Sequence, residues 1–238
     1  MAFLGRGKDD EEARPQSALE LAAHPEVDPG RLSSTVTGLI ENLLDTGIDG
    51  KGRFDSAQKV ADVKRAEQAT AEGAVDAVVR QHLKLGAAGG FVTGLGGFIT
   101  MPVALPVNVL EFYLVATRMV AAVACLRGYD IKQPQIRSAV LLTLVGADAE
   151  DLLAKAGVLS TGRLSNLAAQ RLPGPALMVV NKAVGFRLLT MAGKKSLTKL
   201  GKGVPMVGGV LGAGLDTYLL TRIASQARHE FPPRNTAH

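Results

Sequence analysis

Apolar residues recur along this chain at the spacing of helices rather than of strands. Within residues 33–47, Val36, Leu39 and Leu43 share one helical face, with serines at the start as caps and Gly47 as the stop. No segment combines strict apolar–polar alternation with a hairpin turn. The pattern therefore predicts an all-α fold.

Glycines and prolines divide the rest of the chain into further helices. Asp55 and Gln58 resemble a capping box, which predicts a long helix that continues into a glycine-rich segment. Pro106 and Gly128 bound another, because proline favours the first turn and glycine the residue after the last. Further helices are predicted to begin at Pro134 and near Asp148, and to occupy residues 161–172, 175–192 and 205–228.

The longest uncharged run covers residues 85–110, between Lys84 and Glu111. It is longer than the roughly 20 apolar residues that cross a bilayer as a helix. Glycines crowd its first half and prolines interrupt its second, which predicts two helices joined by a proline turn. Whether this glycine–proline hairpin (residues 86–106) spans a membrane, dips into one or forms the core is open on the sequence alone.

Glycines at every fourth position give two segments a helical face without side chains. Gly86, Gly90 and Gly94 share such a face, as do Gly208 and Gly212. A glycine within a helix costs about 1 kcal/mol relative to alanine, so the close approach of another helix must compensate. We therefore predict that these glycines are helix-packing residues.

Composition limits the class of protein. The 238 residues suffice for one large core, and the single cysteine, Cys125, permits no intrachain disulfide, which fits a reducing cytoplasm. The first residues lack the apolar centre of a signal peptide, so we do not expect secretion. We predict a single compact helical domain at residues 31–230, between a disordered acidic and polar tail at residues 1–30 and a frayed tail at residues 231–238.

Charge is distributed unevenly along the chain. Residues 1–76 contain 15 acids and 9 bases, whereas residues 152–238 contain 2 acids and 12 bases. No acid occurs between Asp151 and Asp216. Such a field favours an anionic partner: a membrane surface, a nucleic acid, an acidic protein or the chain's own acidic third.

The basic region supplies the candidate anion-binding residues. Helical spacing places Lys195, Lys199 and Lys202 on one face. Near anionic lipid, each lysine contributes about 1 kcal/mol to membrane binding. An ordinary solvated face is the alternative, and the lack of an aromatic platform or reader motif disfavours nucleic acid. The candidates are Lys182, Arg187, Lys194, Lys195, Lys199 and Lys202.

Asp216 is the only charged residue between positions 203 and 221. An ionised carboxylate in an apolar helix is costly unless it is paired or hydrated. Arg118 and Arg187 also interrupt apolar stretches, so we predict that they form a structural ion pair or network with Asp216. Simple exposure of Asp216 to water is the alternative.

Patterns that would indicate catalysis or metal binding are weak. Residues 45–50 resemble the start of an EF-hand loop, but Ser56 stands where the bidentate glutamate belongs. The acids at positions 148–151 suit a helix N-terminus, where they stabilise the dipole. The histidines lack metal-ligand spacing, and no hydrolase motif occurs. We predict no catalytic residue, cofactor or metal.

Four motifs, taken in order, resemble the EcsC family. They are GIDG at residues 47–50, GFVTGLGGFITMPVALPVN at 90–108, RGYD at 127–130 and VPMVGGVLGAGLD at 204–216. The resemblance covers residues 40–228 and implies a bacterial, mostly helical, membrane-associated protein. The family is named after a protein of a bacterial ABC-type exporter locus, which implies an accessory role in membrane transport or lipid-surface processes. It supplies no catalytic residues, and Asn108 replaces an acid that many relatives carry.

Two functions fit these patterns better than an enzyme does. The first is a non-enzymatic cytoplasmic protein that attaches peripherally to the inner face of a bacterial membrane, through residues 182–202 and the glycine–proline hairpin. The second is a soluble helical protein-interaction module in which the hairpin is core. Its basic half would bind a protein partner or the acidic half of the same chain.

Overall fold

The computed structural model describes residues 28–52, 54–88, 107–158, 162–167, 172–200 and 207–234. These residues form helices and one isolated antiparallel bridge between Lys51 and Phe54, with no β-sheet among them. Their buried apolar side chains make one continuous core. The predicted all-α, single-domain fold is confirmed.

The helices follow one another through short turns. A π-helix, Leu43–Ile48, extends the first helix, and 3₁₀ turns occupy Gly146–Asp148 and Leu164–Asn166. The α-helices are α1 (Pro29–Asn42), α2 (Ala57–Glu67), α3 (Ala71–Ala88), α4 (Val107–Leu126), α5 (Pro134–Val145), α6 (Ala149–Lys155), α7 (Gly174–Leu200) and α8 (Val207–Glu230).

Helix α1 begins earlier and continues further than the sequence predicts. Asp28 caps it, because its side chain accepts a hydrogen bond from the Arg31 N–H at 2.8 Å. The described fold therefore starts inside the tail predicted for residues 1–30. Gly47 does not stop the helix, since it belongs to the π-helix. A Cβ at Gly47 would lie 2.9 Å from Thr117 Cγ2, so the glycine permits close packing against α4.

The long helix predicted from Asp55 is two helices in the structure. Ser56 is the cap of α2, where its hydroxyl accepts a hydrogen bond from the Lys59 N–H at 3.1 Å. The chain leaves the helical conformation at residues 68–70 before α3 begins. This break lets α2 and α3 pack against each other and against α4.

Helix α4 lies at the centre of the core. It packs against α2, α3, α5, α8 and the π-helix. Its segment Val109–Leu126 is apolar enough to cross a membrane, with a mean hydropathy of 1.8, but 83% of that segment is buried inside the protein. The core helices of soluble proteins share this length and composition, so the apolar character of α4 is explained by its place in the bundle.

Arg127, from the RGYD motif, fixes the end of α8 to the body of the protein. The buried guanidinium donates from Nη1 to the carbonyl oxygens of Arg228 and Phe231, at 2.6 and 2.9 Å. Its Nη2 lies 2.7 Å from the Glu72 carboxylate. One side chain therefore joins α3, the end of α4 and the end of α8.

The chain remains packed against the body beyond α8. The fully buried Phe231 ring meets Tyr129 edge-on, with 5.2 Å between the ring centroids. The Arg234 N–H donates to the Arg127 carbonyl oxygen at 3.0 Å. Contacts with the body thus extend through Arg234, past the boundary at residue 231 that the sequence predicts for the frayed tail.

Other predicted helices differ in length from those observed. Helix α7 continues to Leu200 and α8 to Glu230, beyond the predicted ends at residues 192 and 228. Of the helix predicted at residues 161–172, the structure describes residues 162–167 and 172, which contain the 3₁₀ turn Leu164–Asn166 and the helical residue Leu167; the rest of this prediction lies outside the described residues. The glycine–proline hairpin falls mostly outside the described residues, which include only the end of α3 and the start of α4 on either side of it.

Candidate functional site

The predicted lysine cluster belongs to the last turns of α7. The backbone is helical through Leu200, so Lys194, Lys195 and Lys199 all lie in this helix. Lys202 lies outside the described residues. Lys195 and Lys199 therefore have the helical backbone that their spacing requires, while a shared basic face that includes Lys202 stays a prediction.

Helix α8 exposes two large side chains one turn apart. Leu215 is 40% exposed and Tyr218 is 57% exposed, and Arg222 lies exposed one further turn along. On the opposite face, Leu220 and Ala224 are buried in the core. Leu215, Tyr218 and Arg222 thus form an exposed apolar-to-basic stripe, which we call the α8 stripe.

A second exposed apolar surface lies on the first half of α7. The buried face of this helix, which includes Val180 and Val184, packs against α1 and α5. The outer face exposes Lys182 between three apolar side chains, Met178, Val179 and Phe186. We call these four residues the α7 side face.

Gly185 sets how closely α7 approaches α1. A Cβ there would lie 2.8 Å from Val36 Cγ1 and 3.0 Å from Ile40 Cγ1. On the neighbouring side, the Ser138 hydroxyl donates to Asn181 Oδ1 at 2.9 Å and joins α5 to α7. The sequence pattern missed Gly185, because a lone glycine has no repeat that would mark it as a packing residue.

Arg187 forms an ion pair within the protein. Its Nε and Nη2 lie 2.7 and 2.6 Å from Asp148 Oδ2, and both side chains are partly buried. This pair joins α7 to the 3₁₀ turn that precedes α6. Asp148 therefore offsets part of the charge of Arg187, and anion binding by Arg187 stays a prediction.

Asp216 is partly buried in α8. Of its two predicted partners, Arg187 contacts Asp148, and Arg118 lies in a buried cluster with His82 and Phe54. The proposed pairing of Asp216 with these arginines stays a prediction.

The cluster around Arg118 combines a buried cation with a neutral histidine. Arg118 Nε lies 3.1 Å from His82 Nε2, and the guanidinium carbon lies 4.0 Å above the centre of the Phe54 ring. Since Arg118 can only donate, His82 Nε2 must accept. The proton of the ring is then on Nδ1, which donates to the Val78 carbonyl oxygen at 2.8 Å.

Burial keeps this cluster out of acid–base chemistry. Burial and the charge of Arg118 lower the pKa of His82 from 6.5 to about 3, so the imidazole is neutral at physiological pH. Burial also lowers the pKa of Arg118 to about 10, which leaves the guanidinium charged. Both side chains are buried, and the two His82 nitrogens are engaged. The cluster is therefore part of the core, where it joins α3 to α4.

Cys125 is a buried thiol at the end of α4. Burial raises its pKa to about 12, so the thiol is protonated and a poor nucleophile. Its Sγ lies 3.4 Å from Gln58 Oε1, a contact that joins α4 to α2.

The acids that resembled metal ligands have other contacts. Arg137 donates two hydrogen bonds to Asp49, at 2.8 and 2.7 Å, so the carboxylate of the EF-hand-like segment belongs to a bidentate ion pair. Gly50, with a φ of 79°, turns the chain immediately afterwards. Among the described residues, no group of three or more His, Cys, Asp or Glu side chains is placed to hold a metal ion.

The predicted helix-packing glycines are only partly described. Gly86 lies at the end of α3, where an added Cβ would collide with the Leu220 side chain of α8. Gly208 and Gly212 belong to the first two turns of α8. Gly90 and Gly94 lie outside the described residues.

Comparison with known proteins identifies the family but no individual relative. A model of the EcsC protein family matches residues 25–235, which include all the described residues. No curated protein and no solved structure matches this chain. Two of the quoted motifs have clear structural roles, since GIDG supplies the Asp49–Arg137 pair and RGYD supplies the Arg127 network. The chain belongs to the EcsC protein family.

Proposed function

We propose that this protein is a non-enzymatic helical protein that attaches peripherally to the anionic cytoplasmic face of a bacterial membrane. The observation that supports this most directly is that two features follow each other along the chain: the lysines at the end of α7 and the exposed apolar residues of α8. Helix α7 ends in three lysines within an acid-free stretch, and α8, six residues later, exposes Leu215 and Tyr218. Cations beside exposed apolar and aromatic side chains are typical of interfacial attachment.

Among the described residues, three cations of the basic region at residues 152–238 form ion pairs: Lys155 with Asp151, Arg187 with Asp148 and Arg228 with Asp76. The acidic N-terminal third contributes Asp49, Glu72 and Asp76, which pair with Arg137, Arg127 and Arg228. Of these three arginines, only Arg228 belongs to the basic region of residues 152–238. Within the described residues, the acidic N-terminal third therefore meets the basic region at one ion pair, that of Asp76 with Arg228.

The lysine cluster provides the test of this proposal. Replacing Lys194, Lys195, Lys199 and Lys202 by glutamine should weaken binding to anionic vesicles more than about tenfold, because each cation contributes about 1 kcal/mol near anionic lipid. The matched control replaces four exposed lysines by glutamine and so removes the same total charge. These are Lys51, Lys59, Lys132 and Lys155. Co-sedimentation with vesicles containing phosphatidylglycerol measures both variants.

The outcomes of this experiment distinguish binding through the lysine cluster from a general effect of net charge. Loss of binding in the cluster variant alone supports the proposal. Equal losses in both variants would show that net charge, and not this cluster, governs binding. Failure of the unmodified protein to co-sediment at low salt would remove the proposal altogether.

The α7 side face favours a second candidate function, a soluble helical module that binds a protein partner. Met178, Val179 and Phe186 form an exposed apolar patch around Lys182, and the apolar helix α4 is buried as in a soluble protein. This alternative predicts that vesicle binding is absent. An accessory role in membrane transport or lipid-surface processes, as the family resemblance suggests, is compatible with either candidate.

A further inference from the structure

We propose that the protein docks on an anionic bilayer end-on, through one end of its helix bundle. That end, which we call the apolar end, is where α3 and α7 finish and α4 and α8 begin. This inference rests on the proposed membrane attachment and adds its orientation. The directions of the four helices, and the chemistry of their terminal residues, carry the argument.

Helices α3 and α8 are antiparallel neighbours. Near one end of the pair, the Arg228 guanidinium lies 2.6 Å from the Asp76 carboxylate. Near the other, Leu220 packs against Gly86. Residues later in α3 therefore contact residues earlier in α8, which makes the two helices antiparallel. The end of α3 therefore lies beside the middle of α8, and the first turns of α8, from Val207, extend beyond this contact.

Helix α4 begins at the same end. The contact between His82 of α3 and Arg118 of α4 lies six residues before the end of α3 and eight residues before the end of α4. The other end of α4, which includes Arg127 immediately after it, meets Glu72 near the start of α3. The two helices are therefore antiparallel, and α4 begins at the end of the bundle where α3 finishes.

Helix α7 brings its lysines to this end. The short connection between α4 and α5, which pack together, makes that pair antiparallel. Helix α7 runs in the direction of α5, because Asn181 meets Ser138 and Arg187 meets Asp148. Its last turns therefore approach the start of α4.

A direct contact agrees with this direction. The Tyr113 hydroxyl, in the second turn of α4, donates to the Leu188 carbonyl oxygen at 3.4 Å. Lys194, Lys195 and Lys199 follow Leu188 along α7. They consequently lie in the part of the helix that continues toward the apolar end.

The two ends of the bundle differ in chemistry. At the apolar end, no charged residue occurs in the last four residues of α3, the first four of α4 or the first nine of α8. The opposite end contains the ion pairs of Glu72 with Arg127 and of Asp76 with Arg228. An uncharged centre beside a lysine-bearing helix matches a bilayer with anionic headgroups, where lysines meet phosphates and apolar residues meet acyl chains.

Asp216 limits how deep this docking can be. Nine uncharged residues precede Asp216 and extend about 14 Å along the helix axis at 1.5 Å per residue. A carboxylate is costly in the acyl region, so Asp216 marks the level of the headgroups. Tyr218, with its apolar ring and polar hydroxyl, lies close to the same level and suits that interface.

The absence of tryptophan from the chain permits a direct test. Single tryptophans replace three exposed apolar residues: Leu215 on the α8 stripe, Phe186 on the α7 side face and Val63 on α2. Each variant is mixed with phosphatidylglycerol-containing vesicles whose acyl chains are brominated, and fluorescence and co-sedimentation are measured on the same sample. Circular dichroism of each variant checks that its helical content is unchanged.

The end-on orientation predicts graded quenching. The Leu215→Trp variant should be the most strongly quenched of the three, because residue 215 lies just below Asp216, at the boundary between the headgroups and the acyl chains. The Val63→Trp variant should keep its fluorescence, since Gln58 and Arg65 of the same helix contact Cys125 at the other end of α4. Phe186→Trp should be quenched less than Leu215→Trp.

Other outcomes would overturn the end-on orientation. They differ from the outcome that would overturn membrane attachment itself. Quenching of Phe186→Trp with no quenching of Leu215→Trp would show side-on docking through α7. Co-sedimentation without quenching in any variant would show attachment by charge alone, with the apolar end out of the bilayer. Failure of the unmodified protein and all variants to co-sediment would remove membrane attachment itself.

Discussion

The buried contact between His82 and Arg118 predicts a specific loss of stability in mild acid. The pKa of His82 is lowered to about 3 in the folded protein, whereas an unfolded chain restores the ordinary value of 6.5. Between these pH values the unfolded state binds a proton that the folded state does not. The free energy of unfolding therefore falls as the pH decreases from about 6.5 toward 3.

The size of this effect follows from the two pKa values. Between pH 7 and pH 5, protonation of a histidine in the unfolded state lowers the free energy of unfolding by about 2 kcal/mol, if the folded state stays neutral. Other titrating groups add their own contributions. A His82→Gln variant keeps an acceptor for Arg118 and removes only the titration of residue 82, so the remaining groups cancel in the comparison.

Urea unfolding, followed by circular dichroism at pH 7 and pH 5, measures the difference. The unmodified protein should lose about 2 kcal/mol more than His82→Gln over this interval, although the variant is less stable at pH 7. An equal loss in both proteins would show that His82 titrates normally in the folded state. The buried, neutral imidazole would then be refuted.

Three substitutions test the packing and the ion pairs. Gly185→Ala should destabilise the protein by about 1–3 kcal/mol in thermal melts, because the added Cβ would overlap side chains of α1. Gly174→Ala should cost little, because a Cβ there has open space. Equal effects of the two substitutions would argue against close packing of α7 on α1. Arg127→Ala should cost about 3–5 kcal/mol in urea unfolding, since it leaves buried carbonyl groups and Glu72 without a partner. Lys59→Ala, at an exposed pair, should cost less than about 1 kcal/mol, and an Arg127 effect this small would contradict the anchoring of α8. Asp216→Ala should cost about 3–5 kcal/mol if the predicted pairing is present, and a change below about 0.5 kcal/mol would end that prediction.

Helix limits were predictable where the chain marks them locally. Pro134 and Gly146 enclose α5 in the structure as they do in the sequence pattern. The break between α2 and α3 was missed because residues 68–70 contain neither glycine nor proline. That break is favoured by the packing of both helices on α4, which is a tertiary effect.

The partners of charged residues were much harder to predict. His82 and Arg118 meet across 36 positions of the chain, and Asp148 and Arg187 across 39. No helical spacing indicates such contacts. The sequence offers Arg118 and Arg187 as partners of Asp216, and it gives no sign that Arg187 also pairs with Asp148. The lysines of α7 were recognisable because their spacing is local.

The apolar end also depends on the fold. The sequence indicated two glycine-faced segments and a separate basic helix, but nothing in it placed them together. The antiparallel contacts of α3 with α8 and α4 bring the described ends of these segments to one side of the bundle. Orientation at a membrane is therefore a property that only the packed helices suggest.

Fractionation of cells that express this protein alone tests the membrane attachment most directly. If the basic segment holds the protein on the membrane, the protein sediments with membranes at low ionic strength and is released by about 1 M salt, where charges are screened beyond about 3 Å. The quadruple glutamine variant of Lys194, Lys195, Lys199 and Lys202 should remain largely in the supernatant. Recovery of the unmodified protein in the supernatant at low salt, or its release by detergent but not by salt, would contradict peripheral attachment through this basic segment.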